Sequence, residues 1–141
     1  MKPKNFYMPP EILIGTDCVK NVGEKIQELN LKKGLLVTDK ALIKAKVTDK
    51  LIKALDDKKI QYVIFDETKP NPTTNNVARG LKKLIENKCD FVITCGGGSA
   101  HDCGKAVALV AGEKNLLNNP GTEKKILPII AVNTTAGTGS E

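Results

Sequence analysis

Cys95-Gly96-Gly97-Gly98-Ser99-Ala100-His101-Asp102-Cys103-Gly104-Lys105 joins a short apolar run, Asp90-Phe91-Val92-Ile93-Thr94, to apolar residues at helical spacing, Ala106, Val107 and Val110. The order is strand, bare turn, helix. At the first turn of such a helix the free amides and the positive end of the dipole face outward, which suits a phosphate or pyrophosphate. Glycine belongs there because a Cβ would block the ligand and because the turn can require positive φ. The spacing is neither G-x-G-x-x-G, since His101 stands at the last glycine position, nor a P-loop, since no G-K-[ST] follows. Two other uses compete: glycines that let a helix close on a sheet, and a capping box formed by Ser99 with Asp102.

Working outward, strands and helices alternate. Ile12-Leu13-Ile14 reads as a first short strand, followed by a helix with Val19, Val22, Ile26 and Leu29 on one face. Leu35-Leu36-Val37-Thr38 follows Gly34 as a second strand. A broken helical stretch begins at Ala41, with Thr48 as N-cap of a second piece carrying Leu51, Ile52 and Leu55. Tyr62-Val63-Ile64-Phe65 is the third strand. The prolines of Pro70-Asn71-Pro72-Thr73 forbid regular structure, and a helix with Val77, Leu81, Leu84 and Ile85 follows. The helix after the glycine turn is expected to end near Gly112. A polar loop with Asn118, Asn119, Pro120 and Gly121 then leads to a fifth strand, Ile126 to Val132. Near-continuous apolar strands separated by helices predict an α/β, Rossmann-like fold with a mostly parallel, doubly wound sheet. Residues 1–141 fit one domain.

In such sheets ligands bind beyond the carboxyl ends of the strands. Those ends carry Asp39, Asn71, Gly96 to Ser99, and Asn133-Thr134-Thr135-Ala136-Gly137-Thr138-Gly139, whereas the opposite loops hold ordinary turn and charge residues. Asp39 is suited to the two hydroxyls of an adenosine ribose, and its charge would repel a 2′-phosphate, favouring NAD over NADP; equally, it can cap the helix near Ala41. The Thr134 to Gly139 run offers hydroxyls and bare amides for phosphate or ribose, or simply caps another element. His101 is the sole histidine, which excludes a multi-histidine metal site within these residues and a local nucleophile–His–acid triad. It is expected at the cofactor turn, solvent-facing or capping rather than catalytic. Cys95 and Cys103 flank the turn and read as small packing residues.

Composition narrows the class. The net charge is +6 with a pI near 9.1, but the lysines are scattered over amphipathic helices and no nucleic-acid motif is present. They read as solvated surface. Cys18, Cys89, Cys95 and Cys103 show neither C-x-x-C spacing nor a disulfide framework, and there is no apolar leader or ~20-residue apolar span, so a reducing cytoplasm away from membranes is expected.

Gly96-Gly97-Gly98-Ser99-x-x-Asp102-x-x-Lys105, with Pro70-Asn71-Pro72-Thr73 before it and Thr134-Thr135-Ala136-Gly137-Thr138-Gly139-Ser140-Glu141 after it, resembles the iron-containing (group III) alcohol dehydrogenases. The His101-Asp102-Cys103 insertion is similar to the branch of short-chain alcohol, methanol and 1,3-propanediol dehydrogenases. The resemblance implies that Asp39 holds the adenosine ribose, Gly97, Gly98 and Ser99 the pyrophosphate, Thr135 and Thr138 further parts of the dinucleotide, with Asn71 and Asp102 near the nicotinamide. It also implies a divalent metal, usually Fe²⁺, held by an Asp and three His of a following helical domain. The chain is therefore expected to be the front portion of a longer NAD-dependent enzyme acting on an alcohol or aldehyde, inactive by itself. A free-standing nucleotide-binding or assembly module, and a relative such as a glycerol dehydrogenase or a dehydroquinate-synthase-like lyase, are the alternatives. An exposed first strand near Ile12, or a sheet face left uncovered by truncation, would favour a homo-oligomer.

Overall fold

Four strands and five helices alternate in a computed structural model that describes residues 11–118 and 126–140. A 3₁₀ turn at Cys18–Asn21 leads into α1 (Val22–Glu28), then β1 (Lys33–Val37), α2 (Lys40–Lys44), α3 (Asp49–Asp57) and β2 (Gln61–Phe65). The chain continues through α4 (Thr74–Glu86), β3 (Phe91–Gly96), α5 (Gly98–Asn118) and β4 (Ile129–Asn133). The sheet order is β2-β1-β3-β4 and every ladder is parallel, with Leu36 beside Ile64 on one side and Ile93 on the other. The doubly wound α/β expectation holds.

Each strand divides its side chains between two cores. Leu35 and Val37 pack with Phe65, Leu81, Leu84 and Val107 under α4 and α5. Leu36, between them in sequence, turns to the other face and joins Val22, Ile26, Leu51, Leu55, Phe91 and Ile93 under α1 and α3. Helices on both faces bury the central strands completely, which is why β1 and β3 are apolar runs instead of alternating ones. At the amino end of the central pair the Asp90 carboxylate accepts from the amides of Lys32 at 3.0 Å and Lys33 at 2.8 Å, locking β1 to the entry of β3.

Several expectations need correction. Ile12-Leu13-Ile14 forms no strand, and Ile14 is 92% exposed. A three-residue apolar run becomes a strand only against a neighbouring ladder, and among the described residues none pairs with it. Leu29 is the C-cap of α1 and Ile85 lies in the last turn of α4; both face solvent. Thr48 occupies the N-cap of α3, yet its hydroxyl makes no capping bond; Thr73 instead forms a reciprocal capping box with Asn76 at the start of α4. Helix α5 runs six residues past Gly112, to Asn118; the rest of the polar loop, with Asn119, Pro120 and Gly121, lies outside the described residues. Among the described residues no helix is long and apolar enough to cross a membrane.

Candidate functional site: a cleft at the carboxyl edge

The chain leaves β1 toward β2 on one side and returns past it to β3 on the other, so a crevice opens beyond the carboxyl ends of β1 and β3 where the winding reverses. A cleft of about 690 Å³ lies there. Its walls include Asp39 and Lys40 after β1, Asp66 to Pro70 after β2, Arg79 of α4, and Gly97, Gly98, Ser99 and Ala100 after β3.

The glycine turn forms the floor. Gly96 leaves the strand at φ +153°, and a Cβ there would stand 2.8 Å from the Ala100 methyl and 3.1 Å from Leu42 Cδ1. The Gly97 carbonyl accepts from the amides of Ala100 (3.1 Å) and His101 (3.2 Å), closing the first turn of α5. The next amides, at Gly98 and Ser99, belong to the first turn that a helix leaves without internal acceptors. Ser99 therefore lies inside α5 and not at its cap, and its Oγ accepts from the Asn71 amide at 3.3 Å. That bond fastens the Pro70–Thr73 loop to the turn. Asn71 sits at φ +52°, a left-handed conformation that asparagine tolerates.

Asp39 takes the capping role that competed for it: its carboxylate accepts from the Leu42 amide at 2.9 Å. One oxygen is thus committed to α2 while the residue still lines the cleft. Beside it, Glu67 pairs with Arg79 at 3.0 Å. After β4, the Thr134 amide donates to the Gly96 carbonyl at 3.0 Å, bringing the threonine loop over the glycines. Thr135 Oγ1 is 3.2 Å from where a Gly97 Cβ would sit, and Thr138 and Ser140 stand beside the same point on Gly98. The structure thus gathers Asp39, Asn71, Gly96 to Ser99, Thr134, Thr135 and Thr138 at one edge. Asp102 stands apart: it pairs with Lys105 at 3.3 Å on α5 and does not line the cleft. The Ser99–Asp102 capping box does not form.

His101 is neither solvent-facing nor a cap. It is 1% exposed, with Nδ1 2.7 Å from Thr94 Oγ1 and Nε2 3.2 Å from Asn133 Oδ1. The amide oxygen of Asn133 can only accept, so Nε2 carries the proton, and in the neutral ring Nδ1 then accepts from the threonine hydroxyl. Sequence reasoning missed Arg79, which sits on a helix whose pattern announced only an apolar stripe, and Lys40, Asp66, Glu67 and Lys69, which read as ordinary surface charge.

Residues 9–141 match the family model of iron-containing alcohol dehydrogenase. The chain belongs to the iron-containing alcohol dehydrogenase family. It is 44% identical over 142 residues to 1,3-propanediol dehydrogenase of Klebsiella pneumoniae, a match covering 96% of this chain and 37% of that protein. The NAD-dependent methanol dehydrogenase of Bacillus methanolicus is 36% identical over 141 residues, covering 97% and 37% respectively. Among solved structures, an alcohol dehydrogenase from Oenococcus oeni superposes with a TM-score of 0.87 at 32% identity, covering 99% of this chain and 38% of that one. The chain thus spans a little over a third of the length of these relatives.

The two groups that the family implies fit these residues differently. A dinucleotide suits the cleft, which Gly97, Gly98 and Ser99 line at the amino end of a long helix with Asp39 across from them. Iron does not suit the residues described: the single histidine is engaged on both ring nitrogens, and no three His, Cys, Asp or Glu side chains cluster as a metal would need.

The cysteines at the turn are packing residues, as expected. All four are free thiols; Cys89, Cys95 and Cys103 are buried. Burial, aided by the negative charge of Asp39, pushes the Cys95 thiol from 9.0 up to about 11, and burial also raises Cys89 and Cys103. At pH 8 the folded chain should react with an aromatic disulfide reagent at Cys18 alone, and at all four thiols once unfolded; fast labelling of Cys95 would contradict its burial. The pH dependence has a definite sign. The unfolded chain loses the Cys95 proton first, so its contribution to stability is whole below pH 9 and drains away between pH 9 and 11, by about 2–3 kcal/mol.

Proposed function

We propose that the chain is the NAD-binding portion of a metal-dependent alcohol dehydrogenase that transfers a hydride between an alcohol, or its aldehyde, and NAD. The observation that carries this reading is that the first turn of α5, at Gly98 and Ser99, lines one cleft together with Asp39. In it the amides of Gly97, Gly98 and Ser99 cradle the pyrophosphate, Gly96 shapes the turn, and the free oxygen of Asp39 accepts from the adenosine ribose. Thr134, Thr135 and Thr138 close over the diphosphate from β4, and Asn71, pinned to Ser99, stands toward the nicotinamide. Asp102, paired with Lys105, acts there only if it swings away from α5. Bound NAD would supply the hydride acceptor. Iron, usual in the family, would need donors beyond the residues described, so these 141 residues by themselves bind NAD without oxidising alcohols.

Calorimetric titration tests this directly. The chain should bind NAD at least about tenfold more tightly than NADP, because a 2′-phosphate would face the Asp39 carboxylate across the ribose. Equal affinity for the two, or none for either, would remove the reading. Alcohol-dependent NADH formation by these residues with added Fe²⁺ would overturn the division of labour. Binding of ADP with no preference for NAD would favour the alternative, a nucleotide-binding module without redox chemistry. The free thiols support a reducing compartment such as the cytoplasm, and the exposed Ile12, Leu13 and Ile14 support self-association.

A further inference from the structure

We propose that His101 is a positioning residue of the dinucleotide site: through Asn133 it holds the threonine loop in place over the glycine turn. The proposal rests on the NAD reading above and adds a role for a buried group that the reading leaves unused.

Three elements meet at the imidazole. Its ring projects from α5, one turn past the glycines, and is flanked by Thr94 of β3 and Asn133 at the end of β4. Asn133 Oδ1 receives the His101 Nε2 proton and, at 3.5 Å, faces the amide of Thr135. The same loop is tied from its other side by the Thr134 amide on the Gly96 carbonyl. One side of the loop is therefore fixed by the turn itself and the other by the histidine. The side chains around His101 on α5 that face the core are apolar: Ala100, Cys103 and Val107. An apolar residue at 101 would leave the buried Thr94 hydroxyl without this partner and Asn133 at the mercy of water, because Asn133 is exposed. The two ring nitrogens do separate jobs: Nδ1 secures the ring to the sheet, Nε2 reaches the loop.

That division makes the role testable. The amide of asparagine sits where Nδ1 does, and the amide of glutamine reaches the place of Nε2. His101→Asn should keep the bond to Thr94 and lose Asn133; His101→Gln should do the reverse. Both shed packing, so both melt lower by similar amounts. The NAD affinities should divide: His101→Asn weakens binding about tenfold, as one lost hydrogen bond would, while His101→Gln stays within about threefold of the parent. Asn133→Ala, at an exposed position, removes the acceptor of the Nε2 proton without taking a side chain out of the core, and should match His101→Asn in NAD affinity. The double variant should be no weaker than either single, since both cut one link. Amide exchange at Thr134 to Gly139 should quicken in His101→Asn and Asn133→Ala and not in His101→Gln. Unchanged NAD affinity in Asn133→Ala, equal losses in the two His101 variants, or additive losses in the double variant would each overturn the role. Failure of the parent chain to bind NAD at all would instead overturn the site, a result separable from these.

Discussion

Gly98→Asp should lower the affinity for NAD by at least a hundredfold while leaving the melting temperature unchanged or slightly raised. Gly98 opens α5 without a left-handed backbone, so an aspartate can adopt its conformation. A Cβ there would meet Ser140 Oγ at 3.3 Å and Thr138 Cβ at 3.4 Å, side chains of a surface loop that can shift by tenths of an ångström. For the fold, a carboxylate in the first turn of a helix is favourable by about 0.3–1 kcal/mol. For the ligand it is ruinous: a second negative charge about 4 Å from a phosphate oxygen costs roughly 4 kcal/mol near a protein surface, and the carboxylate also occupies the amides that the phosphate would use. Calorimetry and a melting curve on the same sample separate the two effects. A variant that melts as the parent does and still binds NAD normally would place the diphosphate away from the turn.

Gly104→Ala should show the opposite pattern, a loss of stability well ahead of any effect on NAD affinity. Gly104 lies on α5 where the helix crosses β3. A Cβ there would run into Thr94 Cγ2, with Val92 Cγ1 at 3.3 Å behind it. Neither neighbour can move far, because Thr94 is fully buried and its hydroxyl holds His101. The helix must lift from the sheet or Thr94 must rotate and break that bond. Overpacking of this kind costs about 1–3 kcal/mol, and the buried position puts it toward the upper end. Urea denaturation should find the midpoint lowered with the slope preserved. An unchanged midpoint would mean that α5 does not press on β3 as closely as described.

Gly104 also explains one thing that the sequence disguised. Dinucleotide turns of the G-x-G-x-x-G type use their last glycine to bring helix and strand together. Here His101 takes that place, and the close approach moves one turn along the helix to Gly104. The strands were legible because Leu35-Leu36-Val37, Tyr62 to Phe65 and Phe91 to Thr94 are buried on both faces or nearly so, and such burial writes itself as unbroken apolar runs. Helix ends were less so. The residues that turn left-handed after α1, α2, α3 and α4 are Asn30, Lys46, Lys59 and Lys88, and a lysine there carries none of the signal that a glycine would. At the site, the glycines, Asp39, Asn71 and the threonines could be read from their places at strand ends. Arg79, Glu67 and the buried lock at His101 could not, because their pairings join different elements, Glu67 to Arg79 across a loop and His101 to Thr94 and Asn133 across two strands, and such pairings leave no periodic pattern.

The reversal of winding between β1 and β3 has a consequence for when the cleft comes into being. Asp90 secures the amide of Lys33 across 57 residues, so the central ladder closes only after a long loop of chain has surrendered its freedom. Before that closure, one rim with Asp39 and the other with Ser99 are strangers, and a dinucleotide has nothing to grip. If the cleft takes NAD as proposed, the nucleotide rewards only the finished sheet, adding its binding free energy wholly to the native state. A polypeptide emerging from the ribosome gains nothing from the nucleotide until the last of these walls has arrived.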